Sequence, residues 1–366
     1  MLAKPIKSRI RNTIRGAIRR AVSPHFSLGD DRIIDRCDFL FGDIPENHRT
    51  IGIGPFIEPA NGGRPENAAA LQRNFIALQS YARDRPARQQ YSDVTYGPNG
   101  YALHNGRIDY SLSARKKVYN RDFSKLLFGR PAKTLEAATL IESHFPNTYG
   151  DWVFETLRTL TQALPLNAPL LLPQDIGSRS YVRNELAELG VEFVVATEPV
   201  RIRRAEVLHK PRCLNQWDER DVCAYRKAFG IEEIKPTPGS MIYLSREGVV
   251  GAHGYVTRNY KSSEVSAAVE SKGGRTILTE SMGMHAFREL APEAETVIAD
   301  HGAAIFNVLQ WRPKRVIEIV TNNWWDSSTF VVSRATGVEM HGLLVCDGLN
   351  AEDIDTKLTA FLKHTP

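Results

Sequence analysis

An α/β protein with two facing, doubly wound, Rossmann-like domains is what this 366-residue sequence predicts. Three observations lead there. From about residue 135 onward, short apolar runs alternate with amphipathic stretches of helical period. The runs are rich in Leu, Val and Ile, which suits strands buried on both faces of a parallel sheet. The alternation then repeats beyond the Pro236-Thr237-Pro238-Gly239 segment, which reads as a hinge between two domains. Strands that alternate with helices imply βαβ units with helices on both faces.

The chain opens on a different kind of segment, residues 1–24. Ile6, Ile10, Ile14 and Ile18 recur every fourth residue, with Ala3, Ala17, Ala21 and Val22 alongside, so they share one helical stripe. Lys4, Lys7, Arg9, Arg11, Arg15, Arg19 and Arg20 fill the rest of the helix circumference. Pro5 is tolerable near the first turn, and Pro24 marks a stop. A basic amphipathic helix of this kind suits an in-plane anchor on anionic lipid, where each cation contributes on the order of 1 kcal/mol. Docking on the protein's own body and binding to RNA are the alternatives. Without these seven cations the chain holds 40 basic and 42 acidic residues, so the net charge of +5 belongs to the arm. A near-neutral body argues against a nucleic-acid partner, which needs its basic patch on the fold. No run approaches the ~20 apolar residues of a membrane span, and the arm lacks the apolar core and cleavage site of a signal peptide. Cys37, Cys213, Cys223 and Cys346 are scattered without a CxxC pair, which fits a reducing, cytoplasmic compartment.

Residues 25–130 read as an extension with short β segments. Gly97-Pro98-Asn99-Gly100 and Asn105-Gly106 are turn signals between alternating stretches, and they predict a hairpin or meander capping the next domain. In the first domain, 131–235, Leu170–Leu172 and Phe193–Val195 are strands flanking a helix around Val182–Leu189. In the second, 236–347, strands are expected at Met241–Leu244, Thr276–Leu278, Val297–Ala299 and Val316–Val320. Helices are expected there at Ser263–Ser271, His285–Leu290 and Ile305–Gln310. Residues 348–366 carry a last amphipathic helix, Ala351–Lys363, suited to packing back across the domains. Open α/β sheets bind ligands at the carboxyl ends of their strands, so the expected site is a cleft. No GxGxxG and no GxxxxGK[ST] occurs, which disfavours dinucleotide enzymes and P-loop kinases.

Three groups of residues carry candidate chemistry. Asp300-His301-Gly302-Ala303-Ala304 joins a strand to a helix through Asn307, and small residues there let backbone N–H groups approach a phosphate. A tight βα loop with a capping Asp is the alternative. Ser245-Arg246 follows a strand directly, and a guanidinium at that end suits bidentate phosphate contact. Glu318 stands inside the apolar strand Val316–Val320, where a carboxylate is costly unless something satisfies it. A ribose diol would do so, and so would an internal ion pair. Finally, Asn147–Trp152 leads into a helix with Val153, Leu157, Leu160 and Leu164 on its core face. Asp151 and Glu155, four apart, share the other face with Arg158. One of these carboxylates could act as general base, or Asp151 could simply cap the helix.

At these residues the sequence resembles glycosyltransferase family 61, which includes many bacterial capsular polysaccharide biosynthesis proteins. The similarity spans residues 90–345. Asn147–Leu160 loosely follows "NYxHWxxDxLPRL", with Asp151 where the family has His and Glu155 where it has Asp. Ile242–Arg246 matches a strand ending in Ser-Arg. Arg258 through Glu264 matches a later Arg before a helix, with Ser262-Ser263 in place of Asn-Glu. His301-Gly302-Ala303 with Asn307 matches "HGAxxxN", and Val316–Ile319 matches "VVEI". The resemblance implies a two-domain GT-B fold and an inverting transfer from a nucleotide sugar, without a bound metal or other cofactor. It implies that Arg246, His301, Gly302, Ala303, Asn307 and Glu318 bind the donor, with Glu318 on the ribose. The base would be Asp151 or Glu155, and the acceptor a saccharide or glycolipid of a surface polysaccharide. With the basic arm, that describes an enzyme peripheral on the inner membrane. A polysaccharide pyruvyltransferase using phosphoenolpyruvate and a non-catalytic, membrane-recruited scaffold are the rival readings.

Overall fold

The computed structural model describes residues 35–36, 87–109, 112, 126–127, 129–142, 149–209, 217–232, 235–247, 260–279, 287, 293–321 and 328–363. The basic arm, Arg258 and most of the helix expected at His285–Leu290 lie outside them. The protein is α/β, with one mixed and one fully parallel sheet. Its described residues fall into two compact units, one within Met1–Leu40 and Asp84–Arg212 and the other within Cys213–Pro366.

The first unit carries strands β1 (Asp35–Arg36), β2 (Ala87–Tyr96), β3 (Ala102–His104), β4 (Arg107–Asp109), β5 (Lys133–Ile141), β6 (Leu170–Pro173), β7 (Phe193–Ala196) and β8 (Val200–His209). Their order is β4-β3-β2-β8-β5-β6-β7, with β1 also on β2. Strands β8, β5, β6 and β7 run parallel, while β2 joins β8 antiparallel from Ala87↔His209 to Tyr96↔Val200. The hairpin expected to cap the domain from outside is therefore the edge of the same sheet. Its turns are as read: Gly100 N–H donates to Gly97 O at 3.0 Å, and Asn105 and Gly106 take φ of 50° and 74°. Two successive positive φ values match the twist of a two-residue hairpin loop. Tyr91, Val94, Tyr96, Leu140, Leu171, Ile202 and Val207 form the core of this unit.

The second unit carries β9 (Thr237–Ser245), β10 (Arg275–Leu278), β11 (Ala294–Asp300), β12 (Arg315–Val320) and β13 (Met340–Val345), all parallel. Spatially they run β10-β9-β11-β12-β13, so the second strand lies outside the first and the rest continue on the other side. Such an order reverses direction between its first and third strands, here β9 and β11, and that reversal opens a crevice at their carboxyl ends. Pro236–Gly239, expected to be a hinge, instead starts β9: Thr237 N–H donates to Glu293 O at 2.8 Å, and Gly239 N–H to Glu295 Oε2 at 2.6 Å. The chain leaves the first unit earlier, and the helix Glu219–Ala228 already belongs to the second. That helix begins with a capping box from Asp218 and Asp221, and its Arg226 donates to the carbonyls of Leu309 and Trp311.

One face of the parallel sheet is apolar. Met241, Tyr243, Ile298, Ile317, Ile319, Met340 and Leu344 pack there under the helices Ser262–Glu270 and Ala351–Lys363. The last helix has the bounds its sequence predicts, and it packs on Ser262–Glu270 and β13 of its own unit. A Cβ on Gly342 would meet Phe361 of that helix at 2.5 Å, so the glycine sets how closely the helix lies on β13. No helix among the described residues is long and apolar enough to cross a membrane.

Candidate functional site at the strand ends of the parallel sheet

The loops after β9 and β11 meet at the reversal point, and a buried carboxylate ties them together. Asp300, the last residue of β11, is fully buried. Its Oδ1 accepts from Tyr243 Oη–H at 2.6 Å, and its Oδ2 from Arg246 N–H and Ser262 Oγ–H, both at 2.8 Å. Burial pushes the Asp300 carboxyl above its ordinary range, and these donors oppose that. Burial and the Asp300 charge likewise push the Tyr243 phenol up. The aspartate expected as a helix cap thus holds the backbone of Arg246 instead; the short helix that follows, Ala303–Leu309, is a 3-10 helix whose N-cap is Gly302.

Arg246 is placed from both ends. Its backbone is held by Asp300, and its Nη1 donates to His301 O at 3.2 Å, a carbonyl that also accepts from Tyr260 Oη–H at 3.0 Å. Gly302 has φ of 152°, and a Cβ there would overlap the Arg246 guanidinium. This position needs glycine both for its backbone and for the space. From His301 to Gln310 only Gly302 and Ala303 are half-exposed, so these two form the rim beside the guanidinium.

His301 is held from behind. Its Nδ1 contacts Oε1 of Glu318, the one polar side chain in the run Val316–Val320. The other carboxylate oxygen, Oε2, accepts from Thr329 Oγ1–H at 2.8 Å and faces His341 Nε2 at 3.0 Å. His341 Nδ1 lies 2.8 Å from Ser333 Oγ. Thr329 and Ser333 belong to the helix Ser328–Thr336, on the sheet face opposite the apolar core. Burial opposes a charge on Glu318, but the two imidazoles outweigh it and hold its carboxyl down, at about 2. Among the described residues, His301 Nε2 has no hydrogen-bond partner. No group of three His, Cys, Asp or Glu side chains among them is arranged to hold a metal ion.

This geometry corrects two expectations. Glu318 is buried with both oxygens engaged by protein groups, so it is the internal pair and has no oxygen left for a ribose. Asn307, expected among the donor-binding residues, is buried with its amide turned inward: Nδ2 donates to Ala304 O at 2.8 Å, and Oδ1 accepts from Gln310 at 3.1 Å. Arg246, His301, Gly302 and Ala303 do come together.

In the first unit, Asp151 and Glu155 lie on one continuous helix. It runs as an α turn (Tyr149–Asp151), a π segment (Trp152–Leu157) and an α segment (Arg158–Ala163). Asp151 has helical dihedrals and makes no side-chain cap bond, so it is not an N-cap. It is half-buried at the helix start, whereas Glu155 and Arg158 are buried among Trp152, Phe154, Leu157 and Leu160. The polar outer face that four-residue spacing predicts is absent here, because the π segment turns more slowly and every residue from Trp152 to Thr161 is buried. Leu164, expected on the core face, is extended and follows the helix.

The residues that sequence reasoning missed are Tyr243, Tyr260, Ser262, Thr329 and His341. Tyr243 carried a usable signal, a hydroxyl inside a buried strand that demands a partner. Thr329 and His341 carried none, since only helix packing brings Thr329 and strand register brings His341 to Glu318. Compared with known proteins, the chain matches no family model and no curated protein sequence.

Proposed function

We propose that this protein is a glycosyltransferase that moves a sugar from a nucleotide-sugar donor to a saccharide or glycolipid acceptor. The observation that carries the reading is the meeting of the Arg246 guanidinium with the His301 carbonyl and the half-exposed Gly302–Ala303 rim at the reversal point of a parallel sheet, on a histidine whose Nε2 no described residue meets. A cation, a ring nitrogen and accessible backbone suit a diphosphate, and fixed donors stabilise the charge it gains on leaving. In the proposed step the acceptor hydroxyl oxygen attacks the anomeric carbon. The bond from that carbon to the diphosphate oxygen breaks with its electron pair, and the hydroxyl proton passes to a carboxylate. Asp151, half-exposed at its helix start, suits that base better than the buried Glu155.

The finer reading extends this proposal. It comprises a GT-B arrangement of the two units, inversion without a bound metal, an acceptor from surface polysaccharide, and attachment to the inner membrane through residues 1–22. Its support is the resemblance to glycosyltransferase family 61 at Arg246, His301–Ala303 and Glu318, together with the basic arm. Isothermal titration of the full chain with UDP, GDP, their sugars and phosphoenolpyruvate tests the core claim. Binding of a nucleoside diphosphate that is lost in Arg246→Ala supports it. Binding of phosphoenolpyruvate alone would replace it with pyruvyl transfer, and binding of none would favour a scaffold. Flotation with phosphatidylglycerol vesicles tests the arm: binding should vanish on deleting residues 1–22, and its survival would remove the anchor.

A further inference from the structure

We infer that Thr329 and His341 are positioning residues for His301, acting through Glu318; this rests on Arg246 and His301 forming a phosphate site. Glu318 has two oxygens and sits in a strand among Val316, Ile317, Ile319 and Val320, which are buried and apolar. An ionised carboxylate in such surroundings must have each oxygen satisfied, and which donor serves which oxygen decides where the neighbouring groups point. Thr329 Oγ1–H and His341 Nε2 both sit on Oε2, at 2.8 and 3.0 Å. His341 is fixed in that pose by Ser333, 2.8 Å from its other ring nitrogen. Oε1 is thereby reserved for His301.

The consequence is a defined orientation of the His301 ring. With Nδ1–H donated to Oε1, the nitrogen that remains is Nε2, on the residue that directly precedes the Gly302–Ala303 rim and whose carbonyl accepts from Arg246. The three donors to Glu318 come from three places in the fold: the end of β11, the helix Ser328–Thr336 and β13. None is near another in sequence, so the carboxylate takes this arrangement only in the folded unit. A network with a purely structural task would end in a saturated ring. This one ends in a nitrogen that no described residue meets. Holding the far side of a ligand-binding imidazole with a carboxylate, and the carboxylate with further donors, is how proteins set the tautomer and aim of such a ring.

The test uses full-length protein with 15N-labelled histidine, His301 being assigned through His301→Gln, and two probes, UDP and inorganic pyrophosphate. In wild type the proton should reside on Nδ1 of His301, and the Nε2 resonance should move when either probe binds. Thr329→Val keeps the shape of the side chain and removes one donor to Oε2. It should alter the His301 nitrogen shifts and weaken both probes about 5-fold, the worth of one hydrogen bond. Thr329→Ser should restore both, and His341→Gln should weaken binding further. If Thr329→Val leaves the nitrogen shifts and both affinities at wild-type values, Thr329 only packs and the inference is overturned. If wild type binds neither probe, the phosphate-site reading falls. The shifts of Thr329→Val against Thr329→Ser then still decide whether the network positions His301.

Discussion

Each unit ends a parallel strand in a histidine held by a glutamate, yet the two pairs are finished differently. In the first unit, His209 at the end of β8 has Nδ1 2.8 Å from Glu142 Oε2, and its Nε2 is 3.1 Å from Gln89 Oε1. Gln89 in turn accepts from Tyr91 Oη–H at 2.7 Å, so both nitrogens of His209 are spent inside the protein. In the second unit, His301 has Nδ1 on Glu318 and an Nε2 that no described residue meets. The antiparallel strand β2 makes the difference. It lies along β8 and delivers Gln89 to the imidazole, whereas β11 is flanked by parallel β9 and β12, neither of which brings such a side chain to Nε2 among the described residues. A His–carboxylate pair is thus a fastening where the sheet closes over it, and a candidate ligand contact where the sheet opens.

The sharpest way to break this comparison is at the glutamate of the open pair. Glu318→Ala removes the acceptor for three buried donors and should cost about 3–5 kcal/mol in urea unfolding at pH 7, as for other broken buried ion pairs. A loss within the range of surface substitutions would mean that Glu318 does not organise the site. The pH dependence has a definite sign. The Glu318 carboxyl is depressed from an ordinary value of 4.5 to about 2, so its contribution is complete above about pH 4.5 and fades as the pH falls towards 2. The stability gap between wild type and Glu318→Gln should therefore narrow over that window.

Next in size, Arg246→Ala and His301→Ala should each lower sugar transfer by about 100-fold or more, the scale seen when one preorganised donor to developing charge is lost. The unfolding midpoint of Arg246→Ala should remain close to wild type, which separates chemistry from folding, whereas His301→Ala also strands a buried oxygen of Glu318 and should unfold earlier. Unchanged turnover in both would remove the site. A smaller effect is expected from Gly302→Ala. It forces a strained φ and pushes the guanidinium aside, a local cost of about 1–3 kcal/mol. Pyrophosphate titration should register it as a loss of affinity roughly equal to that of Arg246→Lys. The mildest prediction concerns the closed pair. His209→Ala should lower stability by about 1–3 kcal/mol through the acceptors it strands. It should leave pyrophosphate affinity unchanged, and a change there would erase the distinction between the two histidines.

Much of the second unit is legible without coordinates. β9 through β12 and the helices Ser262–Glu270 and Ala351–Lys363 fall where apolar runs and helical periods place them. A parallel strand covered on both faces must be apolar along its length, and that leaves an unmistakable trace. Strand β8 left none: Arg201, Arg203 and Arg204 interrupt it, because both faces are exposed in part, and Arg201 pairs with Asp93 of β2 at 2.6 Å. The site was half legible. Arg246 and His301–Ala303 follow strands directly, so strand position alone brings them to one edge. Asn307 looked like a ligand contact only through the resemblance to "HGAxxxN", but a 3-10 turn directs its amide inward. Asp151 and Glu155 looked like face-sharing partners, but a π segment changes the rotation per residue.

Glu318 marks the boundary between the two kinds of knowledge. Its place among Val316, Ile317, Ile319 and Val320 declares from sequence alone that a buried carboxylate exists and must be answered. Periodicity can say so because burial along a strand is a local, repeating property. Which groups answer it is decided by register: β12 beside β13 brings in His341, and the helix Ser328–Thr336 brings in Thr329. That choice is non-local, since a buried charge selects its partners by distance in three dimensions and not by separation along the chain. From sequence a ribose and an internal pair satisfy Glu318 equally well. The tertiary structure chose the pair, and in doing so it left His301 as the nitrogen turned outward.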